Sequence, residues 1–334
     1  MADLRRRRML AALGSLIPIA VASIFIGTPL AQTPGRTYRI GWLSPASART
    51  GSPNLDALRQ GLCELGYSEG QNLIFEARWA DSETDRLPKL AAELVQLDVD
   101  IICTAGSQAS EAAKRATTKI PIVFANVAFP DKTGLVASYA RPGANVTGIA
   151  FVGGEYGKRL ELLKEMRPGL TRVVLIYNPQ NKGSVLAQHE TERSAKSLGI
   201  RLESRAFRGP DDFAALFAGI ASNVPDALMT TADPLIASHS APIVAFAARY
   251  RLPSMYPGRE FVDAGGLMFY GGSVPEMYRM AASYVDRILR GASPQDLPVE
   301  QPIKFDMVIN ARAATALGLV IPATLRLRAD EVIE

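Results

Sequence analysis

Small hydroxyl, carboxamide and charged side chains recur at one kind of place in this 334-residue sequence, directly after short apolar runs. Ser44, Ala46 and Ser47 follow the first run, Ala105, Gly106 and Ser107 the third, and Asn126 the fourth. Further along, Phe151 and Val152 close another run, Asn178 and Asn181 follow Tyr177, Asp233 follows Thr230-Thr231, and Tyr256, Arg259 and Glu260 come at and after the last. In an open parallel sheet, ligands bind outside the carboxyl ends of the strands, where loops turn into helix N-termini. Hydroxyls and free helix N-termini suit a carboxylate, an acid suits an amine, and aromatic rings suit an apolar body. The mixture fits an amino-acid-like zwitterion. The same residue types also serve caps and turns. Asp233 before Pro234 has the form of an N-cap with Pro at the first helical position, and Arg259 and Glu260 are placed to pair with each other.

Motifs for covalent or redox chemistry are missing. The sequence holds no G-x-S-x-G nucleophile elbow and no G-x-G-x-x-G dinucleotide loop. In Gly153-Gly154-Glu155-Tyr156-Gly157-Lys158 the first glycine stands one position too close for a phosphate loop, and Arg159 replaces the hydroxyl residue that would hold magnesium. The two histidines, His189 and His239, fall in helical stretches and read as surface residues rather than bases. Cys63 and Cys103 have no other metal ligand at site-like spacing. They read as two buried thiols, with a disulfide as the alternative in an oxidising compartment. The expectation is a binding protein, not an enzyme, with no cofactor and no metal.

Short apolar runs alternate with longer amphipathic ones, as a parallel sheet with crossover helices requires. Strands are expected at 38–43, 73–80, 99–104 and 120–125. Helices are expected at 54–65, where Leu55, Leu58, Leu62 and Leu65 recur at spacings of three and four before Gly66, at 86–97, and from Ser107 as an N-cap. A second series of similar plan follows Arg141-Pro142-Gly143. Its strands are expected at 146–152, 172–177, 202–206, 227–231 and 251–256, and its helices at 156–166, 184–198, 211–220 and 235–250. A tail adds a strand at 265–270, a helix at 277–289, a strand at 303–309 and a short helix at 311–317, and it belongs to neither half alone.

Hydrophobic residues make up 48% and charged residues 21%, which is globular composition. The net charge of +4 owes much to Arg5, Arg6, Arg7 and Arg8: four of the 37 basic residues and one of the 33 acids lie in residues 1–31, so the remainder carries +1. No basic face of the kind nucleic-acid binding needs is visible. Residues 1–31, with a basic start, an uncharged run from Met9 to Ala31 and then Gln32-Thr33-Pro34-Gly35, read as a signal peptide for export to the periplasm. Arg6-Arg7-Arg8-Met9-Leu10 fits a twin-arginine pattern. An uncleaved membrane anchor is the alternative, since 23 residues are enough to span a bilayer.

Several segments resemble the solute-binding proteins of ABC transporters related to the tryptophan and tyrosine binders. They include Gln60-Gly61-Leu62, Glu64-Leu65-Gly66-Tyr67, Asp85-Arg86-Leu87-Pro88, Ile120-Pro121-Ile122-Val123-Phe124 and Gly134-Leu135-Val136-Ala137-Ser138. Arg141-Pro142-Gly143-Ala144-Asn145-Val146-Thr147-Gly148, Lys158-Arg159-Leu160-Glu161-Leu162-Leu163, the stretch from Tyr256 to Leu267 and Gln301-Pro302-Ile303-Lys304-Phe305 complete the likeness. Phe129-Pro130-Asp131 departs from it, where Asp-Pro is usual after the fourth strand. The resemblance implies an α/β type I periplasmic-binding-protein fold: two Rossmann-like lobes with parallel sheets, joined by a three-crossover hinge. Its lobes would be residues 38–149 with 271–295, and 150–270 with 296–334. It also implies a monomer that takes a small ligand in the interlobe cleft and hands it to an ABC permease in the inner membrane. A ligand-sensing module that signals to a membrane receptor or kinase is the alternative.

Overall fold

Residues 36–151, 155–302 and 304–334 are described by a computed structural model. The leader at 1–31 with residues 32–35, Gly153 and Gly154 of the rejected phosphate loop, Val152 and Ile303 lie outside the described residues.

The first half folds as β1 (Tyr38–Ser44), α1 (Ala48–Glu64), β2 (Leu73–Trp79), α2 (Leu87–Gln96), β3 (Ile101–Ala105), α3 (Gly106–Ala116), β4 (Ile122–Ala128) and β5 (Val146–Phe151). These five strands form one parallel sheet in the order β2-β1-β3-β4-β5. Although chain order puts β5 with the second series, it hydrogen-bonds to β4. Alternate side chains of β1 explain both faces: Ile40 and Trp42 pack under α1 with Leu55, Leu58 and Leu62, while Leu43 packs under α2 with Leu90 and Leu94.

The second half runs α4 (Glu155–Met166), β6 (Arg172–Tyr177), α5 (Lys182–Ser197), β7 (Arg201–Ala206), α6 (Phe213–Ala221), β8 (Ala227–Thr230), α7 (Pro234–Ala237), α8 (Ser240–Arg249), β9 (Ser254–Tyr256), α9 (Arg259–Asp263) and β10 (Met268–Gly271). Then come α10 (Val274–Leu289), β11 (Asp306–Asn310), α11 (Ala311–Ala316), α12 (Ala323–Arg328) and β12 (Glu331–Ile333). The seven-stranded sheet has the order β12-β11-β10-β9-β8-β6-β7, and β11 is antiparallel to β10. Around this sheet lies the second lobe.

Three local departures from the sequence pattern have physical causes. Helix α1 begins six residues before Asn54, because Ser47 caps it and accepts from the Thr50 backbone N–H, and the helix carries Pro53 inside it. Helix α3 starts at Gly106, so Ser107 is inside its first turn and Ala105 is the N-cap. The stretch expected as one helix at 235–250 is two, because Ser238 and His239 both bond back to the Leu235 carbonyl and Pro242 has no N–H with which to continue α7. His239 is therefore half-buried against Phe207 and Phe213 rather than free on the surface. Both cysteines are free; Cys103 is buried as expected, but Cys63 is on the exposed side of α1.

The chain passes between the sheets three times. It does so after β5, between β10 and α10, and between Glu300, which bridges to Ile149 beside β5, and β11. Helix α10 packs on α1, with an Ala282 methyl 2.8 Å from where a side chain on Gly61 would begin.

Gly148 sets the tightest backbone approach in the first sheet. Its φ is +150°, and a Cβ there would lie 2.0 Å from the Phe124 carbonyl oxygen on β4. Gly148→Ala should destabilise the protein by about 3 kcal/mol or more. Urea unfolding that shows a loss under about 1 kcal/mol would contradict this reading.

Candidate functional site

A cavity of about 680 Å³ lies between the lobes. Parallel pairing makes β1, β3, β4, β8 and β9 deliver their carboxyl ends to it. Of the residues singled out in sequence, Ser44, Ala46, Ala105, Asn126, Phe151, Asp233, Arg259 and Glu260 line its wall. Ser47, Gly106, Ser107, Asn178, Asn181 and Tyr256 do not. Ser47 is spent on capping α1, and Tyr256 is buried in the second lobe with its ring stacked 4.5 Å from Phe261. Gly106 and Ser107 face the opposite lobe instead: a Cβ on Gly106 would lie 2.7 Å from Pro234 Cγ, and one on Gly183 would lie 3.0 Å from Ser107 Oγ. Along the same seam Lys182 pairs with Glu111 at 3.2 Å and Lys132 with Glu190 at 3.5 Å.

Asn126 stands at a register shift between Ala125 and Val127, with φ +58°. A bulge re-aims a side chain out of the pleat, and here it turns the carboxamide into the cavity. Ser44 is buried at the end of β1, and its Oγ accepts from the Ala46 N–H at 3.2 Å.

Asp233 is the N-cap of α7. Its Oδ1 accepts from the Leu235 and Ile236 N–H groups at 2.9 and 3.1 Å, and its Oδ2 accepts from the Asn178 and Asn181 side-chain amides at 3.2 and 2.7 Å. Burial pushes this carboxyl up, and the four donors pull it back. A carboxylate offers about four acceptor positions. With these filled, Asp233 has none left for a ligand amine, and Asn178 serves Asp233 rather than the cavity.

Arg259 pairs with Glu331 through Nη1 at 2.5 Å and Nη2 at 3.0 Å, and with Asp263 at 3.3 Å, not with Glu260. Lys304 pairs with Asp306 at 2.7 Å, and Asp330 accepts from the Met307 N–H. That leaves Glu260. Among the described residues it is the one acid of the cavity wall with no basic partner and no donor besides its own backbone N–H, and burial raises it to about 7. Its carboxylate folds back over Gly258, 2.2 Å from where a Cβ would stand.

The sequence pattern did not point to Lys304, Asp306, Asp330 and Glu331 because β11 runs antiparallel to β10 and β12 follows β11, so their starting ends, not their carboxyl ends, meet the cleft. Nor did it single out Gly272, Ser273 and Val274, which begin α10 where the chain re-crosses. Among the described residues no group of three His, Cys, Asp or Glu is placed to hold a metal, and no helix is long and apolar enough to cross a membrane.

The profile of the family described as ABC transporter substrate binding protein matches residues 51–333. The chain belongs to that family. As a member of the ABC transporter substrate-binding proteins it is an extracytoplasmic solute-binding protein that captures a small ligand for a transporter permease. It is 26% identical over 275 residues to the tyrosine-binding protein of Clostridioides difficile, covering 80% of this chain and 78% of the relative. A conserved domain protein from Vibrio cholerae is 27% identical with a TM-score of 0.85, and the ABC domain from Streptococcus pneumonia in complex with L-Trp is 24% identical with a TM-score of 0.84. Each structure covers 89% of this chain and is itself covered in full. The two-lobed substrate-binding protein has the type I periplasmic-binding-protein fold.

The Glu260 carboxyl titrates higher in the fold than its ordinary value of 4.5, so folding takes up a proton between the two values. Its contribution is favourable at the acid end and is lost as pH rises from about 4.5 to about 7. Glu260→Gln should therefore gain stability relative to wild type across that window and hold the gain above it. Urea unfolding of both proteins at about pH 5 and about pH 8 checks this, and an equal difference at both values speaks against it.

Proposed function

We propose that the cleft captures an amino-acid-like zwitterion by closure of the lobe built on the first sheet on the lobe built on the second, with the crossings after Phe151, Gly271 and Glu300 rather than at the expected edges 149, 270 and 295. The observation that carries this reading is the polarity of the cavity. From one side it receives the N-termini of three long helices, α1 at Ala46 and Thr50, α3 at Ala105, and α10 at Ser273 and Val274. Helix N-termini carry partial positive charge and free N–H groups. From the other side it receives the carboxylate of Glu260. The ligand carboxylate goes to the helix ends, with Ser44 and Asn126 beside it, the ammonium goes to Glu260, and Phe151 and Tyr278 cover the body. The tyrosine-binding relative and the L-Trp complex support the same class. In this reading residues 1–31 direct export to the periplasm, where the protein works as a monomer without catalysis.

Titration calorimetry with L-tyrosine, L-tryptophan and their deaminated acids tests the reading. An amino acid is expected to bind and its deaminated acid to bind at least about tenfold more weakly, a loss of about 1.4 kcal/mol. Glu260→Gln should remove that preference. Because Glu260 must be charged to hold an ammonium, wild-type affinity should rise as pH rises through about 7 and then level. Equal binding of amino acid and deaminated acid sinks the assignment of Glu260, and no binding of any α-amino acid sinks the ligand class.

A further inference from the structure

We propose that Arg159 is a positioning residue for lobe closure, holding the three chain crossings in fixed geometry without touching the ligand. Arg159 is wholly buried in the first turns of α4, just past the first crossing. Its guanidinium carbon lies over the Phe151 ring, 5.4 Å from the centroid, and Phe151 is both the last residue of β5 and part of the cavity wall. Its Nε donates to the Tyr270 carbonyl at 2.6 Å, one residue before the end of β10 and the second crossing. The Tyr270 ring in turn stacks 6.0 Å from Phe305, which enters β11 at the third crossing. Gly271 permits this approach, since a Cβ there would stand 3.2 Å from Arg159 Nη2. Toward the first lobe, the guanidinium covers Tyr156 at 5.2 Å, and Tyr156 stacks on Phe129, which follows β4 with φ +51°. One side chain thus contacts two crossings directly and reaches the third through one ring.

Stability does not account for this arrangement. Arg159 Nη2 pairs with Glu155, but among the described residues Arg159 Nη1, the second Glu155 oxygen and the Tyr156 hydroxyl have no partner, and all three are buried. A buried ion pair left partly unsatisfied is commonly no better than apolar side chains of the same volume. What apolar side chains cannot supply is the directional bond to the Tyr270 carbonyl and the cation–π contact with Phe151. A protein whose binding-competent state is only fractionally populated loses affinity by that fraction, so fixing the crossings raises capture without any ligand contact.

The test needs no ligand and is therefore independent of which solute the cleft takes. Spin labels are placed on exposed positions of the two lobes by Lys89→Cys in α2 and Lys196→Cys in α5, with Cys63→Ser to remove the exposed native thiol. The inter-lobe distance distribution is then measured for wild type and for the double variant Glu155→Leu, Arg159→Met. The double variant should melt at or above the wild-type temperature, while the width of its distance distribution about doubles. A wild-type width in a folded double variant overturns the proposal. If the double variant does not fold, Arg159→Lys decides, because it keeps the charge facing Glu155 but lacks the planar fork: a broadened distribution supports the positioning role, and a wild-type width overturns it.

Discussion

Parallel pairing is the constraint from which the cleft follows. Once β1 lies between β2 and β3 with all three running the same way, each return path must be a crossover, and α1, α2 and α3 are those crossovers. Every such unit ends a strand and starts a helix on the same side of the sheet. The second sheet repeats the arrangement through β6, β8 and β9. Two sheets so built, facing each other by their carboxyl ends, concentrate free N–H groups and capping side chains in one volume. Polar chemistry gathers there because the interior of each sheet, Ile40 and Trp42 on one face and Leu43 on the other, has no room for it.

The cleft is not a uniform polar slot. Long helices whose N-termini open into it come from the first lobe and from α10, whereas α7 and α9 in the second lobe are only four and five residues long and contribute acids in or beside their first turn. Asp233 and Glu260 stand at similar places, one at a helix cap and one in a first turn, and differ in what they have left to give. Asp233 is saturated by four donors, so its charge is held by the protein; Glu260 is not, so its charge is available to the cavity. At the seam where the lobes meet, Gly106 lets the backbone approach Pro234 at a distance no Cβ would allow, and Gly183 lets it approach Ser107 at one a Cβ would crowd. That contact does more to set how far the lobes can close than the exposed Lys182–Glu111 pair beside it, since exposed pairs contribute about 1 kcal/mol at most.

Much of this was legible in the sequence because it rests on period and punctuation. The strands at 38–43 and 172–177 and the leucines at 55, 58 and 62 are local patterns, and the structure places them within a few residues. Eight of the fifteen residues singled out in sequence reach the cavity for the same reason: they lie at or just after strand ends. The misses are non-local. Whether Asn178 faces a ligand or Asp233 depends on residues 52 to 55 positions away in the chain, and whether β11 brings its start or its end to the cleft depends on an antiparallel pairing that its own sequence does not announce. Helix α1 begins six residues ahead of its expected start because the Ser47 cap and the packing of Leu55 against the sheet carry it through Pro53.

The three crossings bring a different physical problem to the same place. A hinge must bend, yet its strands must not drift, since a shift of one residue in β10 would turn Phe269 away from Val262 and Val308 and move Gly271 from beneath Arg159. A guanidinium bonded to the Tyr270 carbonyl and set over the Phe151 and Tyr156 rings holds one register. Burying a charge at the pivot is costly, and Glu155, raised to about 7 by that burial despite the pull of Arg159, shows the cost directly. The cost is consistent with a site where geometry matters more than stability, as it must where two lobes of several dozen side chains close on one small molecule.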